Sequence, residues 1–125
     1  MKRHEQREKA MITVYQYLMM PRNTQELIES VFDMPEDAIE PYFSDVIHDA
    51  IANETKYAGY LDRVMDNWSY DRLGCIEKAI LLVGCAEFNQ KKTEAAVIID
   101  EAVRMAKKYC GEDSYKFINR VLDVI

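Results

Sequence analysis

Basic side chains near the beginning of the sequence are the first residues that suggest a chemistry, the binding of phosphate groups. Lys2, Arg3, Arg7 and Lys9 all lie within the first nine residues. On a helix Arg3 and Arg7 are one turn apart and share a face, and Lys2 and Lys9 are two turns apart and share another. Lysine and arginine at such positions can hold the phosphates of a nucleic acid. The alternative is a solvated first turn of mixed charge, because two glutamates interrupt the basic residues.

Two aromatic residues, Tyr15 and Phe117, could supply the other half of an RNA site, which is the stacking of bases. Both fall within apolar stripes, so packing in the core is the default interpretation for each. A ring with an exposed edge can also stack on an unpaired base, which is how proteins usually read single-stranded RNA. The spacing of the residues leaves both roles open.

Catalytic and metal-binding patterns are absent from the sequence. The only histidines, His4 and His48, are not spaced with cysteine or carboxylate residues as metal ligands are. No Ser/His/Asp set and no phosphate-binding glycine loop occurs. We therefore expect a protein without enzyme activity, metal or cofactor.

The cellular compartment is predicted from the cysteines and from the absence of targeting patterns. The three cysteines form no Cys-x-x-Cys pair, which favours free thiols in a reducing cytoplasm. The charged N-terminus does not resemble a signal peptide. The longest apolar run, residues 79–86, is too short to cross a membrane. We expect a cytoplasmic protein that does not bind a membrane.

The net charge of −6 is unevenly distributed along the chain. Residues 1–9 contain four Lys or Arg and two Asp or Glu, a net charge of +2. Residues 10–125 contain twelve Lys or Arg and twenty Asp or Glu, a net charge of −8. Most of the surface should therefore repel nucleic acid, and an RNA contact would depend on a local basic patch and be sensitive to salt.

Apolar residues recur at helical spacing along the chain, which contains only four Gly and three Pro. This pattern favours an all-α fold. We predict a bundle of about seven helices in two small packed subdomains. Residues 1–125 then form a single domain, with N-terminal helices in about 1–35 and C-terminal helices in about 36–125.

Several helix boundaries can be predicted as well. The first helix should run from Arg3 to Met20, before a proline. A later helix, from about Asp71 to Phe88, is apolar on most faces and should be central and buried. Either Asp113 or Ser114 is expected to cap the last helix.

Four segments of the sequence resemble the NusB family of bacterial antitermination factors. The most specific are Val97–Tyr109 and Gly111–Asp123, which contain Ile-Ile-Asp-Glu-Ala-Val and Glu-Asp-Ser-Tyr-Lys-Phe-Ile-Asn. Arg3–Tyr15 is similar to the arginine-rich start of the family's first helix, and Ile76–Glu87 is similar to its central helix. The middle of the chain, residues 21–55, matches in length and pattern more than in identity.

The resemblance implies an all-helical protein of two small subdomains that binds the boxA segment of nascent RNA. It implies binding together with NusE, a small-subunit ribosomal protein, within an RNA polymerase assembly that resists termination, notably on ribosomal RNA operons. By resemblance Glu77 lies at the NusE surface and Asp113 near both contacts. By resemblance the residues at the RNA are Arg3, Arg7, Tyr15, Lys116 and Phe117. The charges of Lys2, Lys9 and Arg120 add these three residues to the expected RNA site.

The chain departs from the family's pattern at positions that bear on RNA binding. His4 and Glu5 stand where arginines are often found, and Arg120 stands where glycine is usual, so that Arg120 either adds a phosphate contact or obstructs one. A second hypothesis is therefore a helical protein-interaction module, a diverged NusB paralogue, that has lost RNA binding. It could be a homodimer, and the choice between monomer and homodimer stays open. A third is a helical domain like those that precede some RNA methyltransferase domains.

Overall fold

The apolar stripes fold into seven α-helices, with no strand, in the computed structural model, which describes residues 1–125. Two short 3-10 turns, Glu36–Ala38 and Tyr70–Arg72, precede the third and the fifth helix. The prediction of an all-α bundle of about seven helices is confirmed. None of the helices combines the length and the apolar character that crossing a membrane requires. The helices are α1 (Arg3–Met19), α2 (Thr24–Phe32), α3 (Pro41–Ala52), α4 (Glu54–Val64), α5 (Cys75–Gln90), α6 (Ala95–Tyr109) and α7 (Glu112–Asp123).

Helix α5 lies at the centre of the bundle. All nine residues of Ala79–Glu87 are buried, and α1, α3, α6 and α7 pack around them. The prediction of a buried central helix is thus confirmed. Its first turn was predicted wrongly, because α5 begins at Cys75 rather than near Asp71. Residues 70–72 form a separate 3-10 turn, and the chain is extended from there to residue 74.

The close approach of α7 to α5 depends on Gly84. A Cβ atom added at this position would lie 3.1 Å from Cδ2 of Leu122, which is closer than side chains normally pack. The missing side chain therefore lets the two helices meet at short distance. This packing fixes the position of α7, which carries several of the predicted site residues.

The apolar side chains form two clusters. The larger one contains 22 buried residues from α1, α3, α4, α5, α6 and α7 and from the chain before α5. The smaller one joins side chains from both sides of residue 35, and α1 contributes to both clusters. The division of the domain at residue 35 stays a prediction. The smaller cluster consists of Ala10, Ile28, Phe32, Ile39, Phe43 and Ile47.

The ends of the first two helices follow from proline and from a capping side chain. Helix α1 ends at Met19, one residue before the predicted Met20, and Pro21 follows shortly after. The side-chain oxygen of Asn23 accepts a hydrogen bond from the backbone N–H of Glu26 at 3.1 Å. This bond satisfies one of the free N–H groups at the start of α2.

The start of α7 differs from the prediction. Neither Asp113 nor Ser114 caps the helix, because Gly111 occupies the N-cap position and provides no capping side chain. The hydroxyl of Ser114 instead donates a hydrogen bond to Oε2 of Glu77 at 2.8 Å. A side chain that was expected to serve its own helix therefore connects α7 to α5.

The carboxylate of Asp49 connects α3 to the helices that follow it. It accepts hydrogen bonds from Tyr57 and Asn53 at 2.7 Å, from Asn89 at 2.9 Å and from Gln90 at 3.1 Å. Burial raises the pKa of Asp49, but these hydrogen bonds lower it by more, so the pKa lies below its ordinary value of 3.8.

We expect the Asp49→Ala substitution to lower the free energy of unfolding by roughly 1–3 kcal/mol near neutral pH, because several donors lose their acceptor. The charge-dependent part of this stabilisation is fully present above the ordinary pKa of 3.8 and disappears as the pH falls through the lower folded-state pKa. Urea unfolding near neutral pH and at about pH 2 measures the difference. Asp45→Ala is the control, because Asp45 is exposed on the same helix. Equal losses at both pH values would contradict the assignment.

Candidate nucleic-acid and partner interface

Arg7 is buried, which corrects the expectation that it contacts RNA. Its exposed fraction is 2%. Its guanidinium donates two hydrogen bonds to the carboxylate of Glu87 on α5, from Nε to Oε2 at 2.9 Å and from Nη2 to Oε1 at 2.8 Å. The reason is its place on α1, one and two turns before Met11 and Val14, on the stripe that faces the core. A phosphate cannot reach this guanidinium while the ion pair is intact.

The ion pair belongs to a network that joins four helices and the loop before α6. The hydroxyl of Tyr42 on α3 donates a hydrogen bond to Oε1 of Glu87 at 2.7 Å and accepts one from Thr93 at 2.8 Å. Burial and the nearby carboxylate raise the pKa of Tyr42 to about 12, so the hydroxyl keeps its proton. Arg7 also lies 3.7 Å from Glu101 of α6. Burial lowers the pKa of Arg7, but the hydrogen bonds and charge of Glu87 raise it by more.

The other basic residues near the start of α1 are accessible to different degrees. Lys2 is exposed at the N-cap position. The side chain of Arg3 is 52% exposed and pairs with Glu40. Lys9 is half-buried, and its Nζ donates to a backbone carbonyl of α2 at 3.3 Å. We refer to Lys2, Arg3 and Lys9 as the N-terminal basic surface.

Glu77 is held in the first turn of α5 by two hydrogen bonds. Its Oε1 accepts from the backbone N–H of Gly74 at 3.3 Å, and its Oε2 accepts from the hydroxyl of Ser114 at 2.8 Å. The carboxylate is half-buried. It is therefore an anchored negative charge at the surface, where α5 and α7 meet.

A groove of about 290 Å³ lies between the start of α5 and α7. It brings together four residues that the sequence predicted, two of them for the protein partner and two for RNA. We call it the α5–α7 groove. It is lined by Trp68, Arg72, Leu73, Glu77, Asp113, Ser114, Phe117 and Arg120.

Tyr15 lies on the other side of the hydrogen bond between Glu77 and Ser114. Together with these two residues it lines a shallow depression next to the α5–α7 groove. The rings of Tyr15 and Phe117 are both half-buried against the larger apolar cluster. Each ring thus combines core packing with an exposed part that a base can contact. Lys116 is exposed beside Phe117 on α7.

The N-terminal basic surface is separate from the groove. Arg3 and Tyr15 are twelve residues apart on α1, so the rise of the helix separates them by about 18 Å along its axis. Between them, Glu8 accepts hydrogen bonds from Lys108 at 2.6 Å and from Tyr109. Burial raises the pKa of Glu8, but these hydrogen bonds lower it by more, to below its usual value. The part of α1 between the N-terminal basic surface and Tyr15 therefore carries a carboxylate paired with a cation rather than a free negative charge.

Trp68 and Arg72 line the groove, and the sequence analysis did not identify them as site residues. Trp68 is 46% exposed, and the guanidinium of Arg72 lies 4.7 Å from the centroid of its ring. The turn that presents Trp68 includes Asn67, which has a positive φ of 64°. A signal was available in the sequence, because the only tryptophan of the chain lies in a polar segment between Asn67 and Ser69.

Comparison with known sequences identifies one family over nearly the whole chain. The sequence model of the NusB family matches residues 4–125. The transcription antitermination protein NusB of a Sulfurovum species is 35% identical over 127 residues, which cover 98% of this chain and 96% of that protein. The protein of the same name from Listeria welshimeri is 31% identical over 123 residues, which cover 98% of this chain and 94% of that protein.

Comparison with solved structures gives the same result. The chain is similar to a crystal structure of antitermination factors NusB and NusE in complex with double-stranded RNA, with a TM-score of 0.83 and 26% identity. That similarity covers 99% of this chain and 96% of the other. NusB from T. maritima has a TM-score of 0.86 at 23% identity, covering 99% of this chain and 89% of that one, and supports the fold alone. Both similarities extend over the helices that form the α5–α7 groove.

Proposed function

The chain belongs to the NusB family, and from that premise we propose that it is a transcription antitermination factor that binds RNA together with NusE. The observation that carries the proposal is the α5–α7 groove, where an exposed aromatic edge, two guanidinium groups and an anchored carboxylate lie together. The similarity to a NusB that has been crystallised with NusE and RNA supports it. The protein acts by binding, and we assign it no catalytic step.

The RNA side of the proposal assigns a role to each accessible residue. The exposed parts of Tyr15 and Phe117 stack on unpaired bases. Lys116 and Arg120, both exposed on α7, hold phosphates next to those bases. The N-terminal basic surface holds phosphates farther along the strand. Arg7 contributes indirectly, because its ion pair with α5 fixes the orientation of α1.

The protein side of the proposal rests on negative charge. Glu77 and Asp113 lie at the same groove, and residues 10–125 as a whole have a net charge of −8. This charge attracts a basic ribosomal protein and repels RNA. NusE bound at Glu77 would reduce the repulsion and add its own contacts, so we expect it to raise the affinity for RNA.

The RNA and its setting are the finer part of the proposal. We propose that the ligand is a single-stranded RNA of the boxA type, because stacking on the two half-exposed rings requires unpaired bases. The complex would then join an RNA polymerase assembly in the cytoplasm and promote the transcription of ribosomal RNA operons. The family resemblance supports this setting.

We expect the Phe117→Leu substitution to weaken RNA binding by about 1–3 kcal/mol, because leucine keeps the apolar contact with the core but cannot stack on a base. Fluorescence anisotropy of a labelled boxA-type RNA measures the affinity, and thermal unfolding checks that the variant is folded. Tyr60→Leu is the control, because Tyr60 is a 40% exposed aromatic residue on α4, outside the groove. An unchanged affinity in the Phe117 variant would remove Phe117 from the RNA site.

A further inference from the structure

Two arginines at the α5–α7 groove have no acidic partner within the protein. Arg72 and Arg120 are both exposed and line the groove. Neither takes part in any of the ion pairs or hydrogen bonds of the chain, whereas Arg3, Arg7 and Arg104 all pair with glutamates. Arg22 and Arg63 are also unpaired, but they lie outside the groove. The guanidinium donors of Arg72 and Arg120 are thus directed only to solvent or to a ligand. Free guanidinium groups are well suited to phosphate, which they can bind through two hydrogen bonds.

The groove also offers a second aromatic surface beyond Phe117. Trp68 is nearly half exposed. Together with Phe117 and Arg120 it also lines a second depression, which adjoins the groove near the C-terminal end of α7. The guanidinium of Arg72 lies against its ring, so the indole is held in a defined place. Two aromatic side chains and two unpaired guanidinium groups therefore lie along one continuous surface.

We propose that this surface is an additional RNA subsite, in which Trp68 stacks on one unpaired base while Arg72 and Arg120 hold the flanking phosphates. This inference rests on the proposed function. It places the next part of the bound RNA strand on Trp68, beyond the base that stacks on Phe117. The carboxylate of Glu77 is directed toward Gly74 and Ser114 by its two hydrogen bonds and forms no ion pair with Arg72 or Arg120. The two arginines repel a basic protein segment whereas Glu77 and Asp113 attract it, so we assign the arginine side of the groove to RNA and its carboxylate side to NusE.

The single tryptophan of the chain makes the proposal directly measurable. A base that stacks on the indole quenches its emission, so titration with unlabelled boxA-type RNA should quench the fluorescence of Trp68. Anisotropy of a labelled RNA, recorded in parallel, reports binding itself. We expect Arg72→Gln to weaken binding roughly tenfold and to reduce the slope of log affinity against log salt by about 0.7, as for one lost phosphate contact on a single strand.

Arg63→Gln is the matched control, because Arg63 is an exposed arginine on α4, over the ring of Tyr60 and outside the groove. It should leave the quenching and the salt slope unchanged. RNA binding without a change in Trp68 emission, or with equal affinities for the Arg72 and Arg63 variants, would overturn this subsite and leave the proposed function standing. Quenching by NusE alone would instead assign the surface to the protein partner. No RNA binding with or without NusE would overturn both proposals.

Discussion

Replacing Glu87 by glutamine is expected to lower the free energy of unfolding by about 3–5 kcal/mol, a large fraction of the stability of a small domain. The substitution keeps the shape of the side chain but removes the negative charge that faces Arg7. Glu87 is 1% exposed and Arg7 is 2% exposed. The guanidinium would remain buried with only the more distant Glu101, 3.7 Å away, as a counter-ion, and water could not replace the lost charge. Urea unfolding of the variant measures the loss.

A double variant separates the buried charge from other effects at the same place. Arg7→Met together with Glu87→Gln removes both charges and leaves an acceptor for the hydroxyl of Tyr42. We expect it to be more stable than Glu87→Gln alone, because a buried ion pair can often be replaced by neutral groups at little cost. Glu112→Gln, an exposed carboxylate on α7, is the charge-matched control and should change stability by less than about 0.5 kcal/mol.

The same variants test what Arg7 does for RNA. If it is a positioning residue, the salt dependence of RNA binding should be the same for the folded double variant as for the unchanged protein. A loss of less than about 1 kcal/mol in Glu87→Gln would contradict the buried network. A reduced salt slope in the double variant would return Arg7 to the RNA surface.

The second large effect is expected at the centre of the bundle. Ile80 of α5 is fully buried within the larger apolar cluster. Ile80→Ala should lower the free energy of unfolding by about 2–5 kcal/mol, because it removes buried apolar surface and leaves a cavity. Chemical unfolding monitored by circular dichroism measures the loss. Ile125→Ala, the same substitution at a 43% exposed position, is the control, and similar losses for the two variants would contradict the central position of α5.

The helices could be predicted from the sequence because their apolar residues recur at a regular spacing. The stripe on α1 and the apolar run of α5 each required burial, whatever their partners were. The boundary of α5 was predicted less well, because the 3-10 turn before it continues the helical spacing of apolar residues. The capping of α7 was missed because Ser114 forms a long-range hydrogen bond with Glu77, and local patterns contain no information on such partners.

The candidate site was predictable in part, and Arg7 shows why. Its charge suggested a surface residue, whereas its spacing from Met11 and Val14 placed it on the buried stripe. Only the position of Glu87, eighty residues away along the chain, makes burial of this charge possible. Trp68 and Arg72 were missed for a related reason, since their closeness to Phe117 and Arg120 depends on the packing of α7 against α5.

The most direct test of the central claim is the affinity for a labelled boxA-type RNA, measured by anisotropy at two salt concentrations with and without NusE. We predict that binding weakens with salt and that NusE tightens it at least about fivefold. Glu77→Gln, which keeps the size of the side chain and one acceptor oxygen but removes the charge, should reduce this coupling. A folded protein that binds no RNA in either salt, even with NusE present, would contradict the account and indicate a helical protein-interaction module instead.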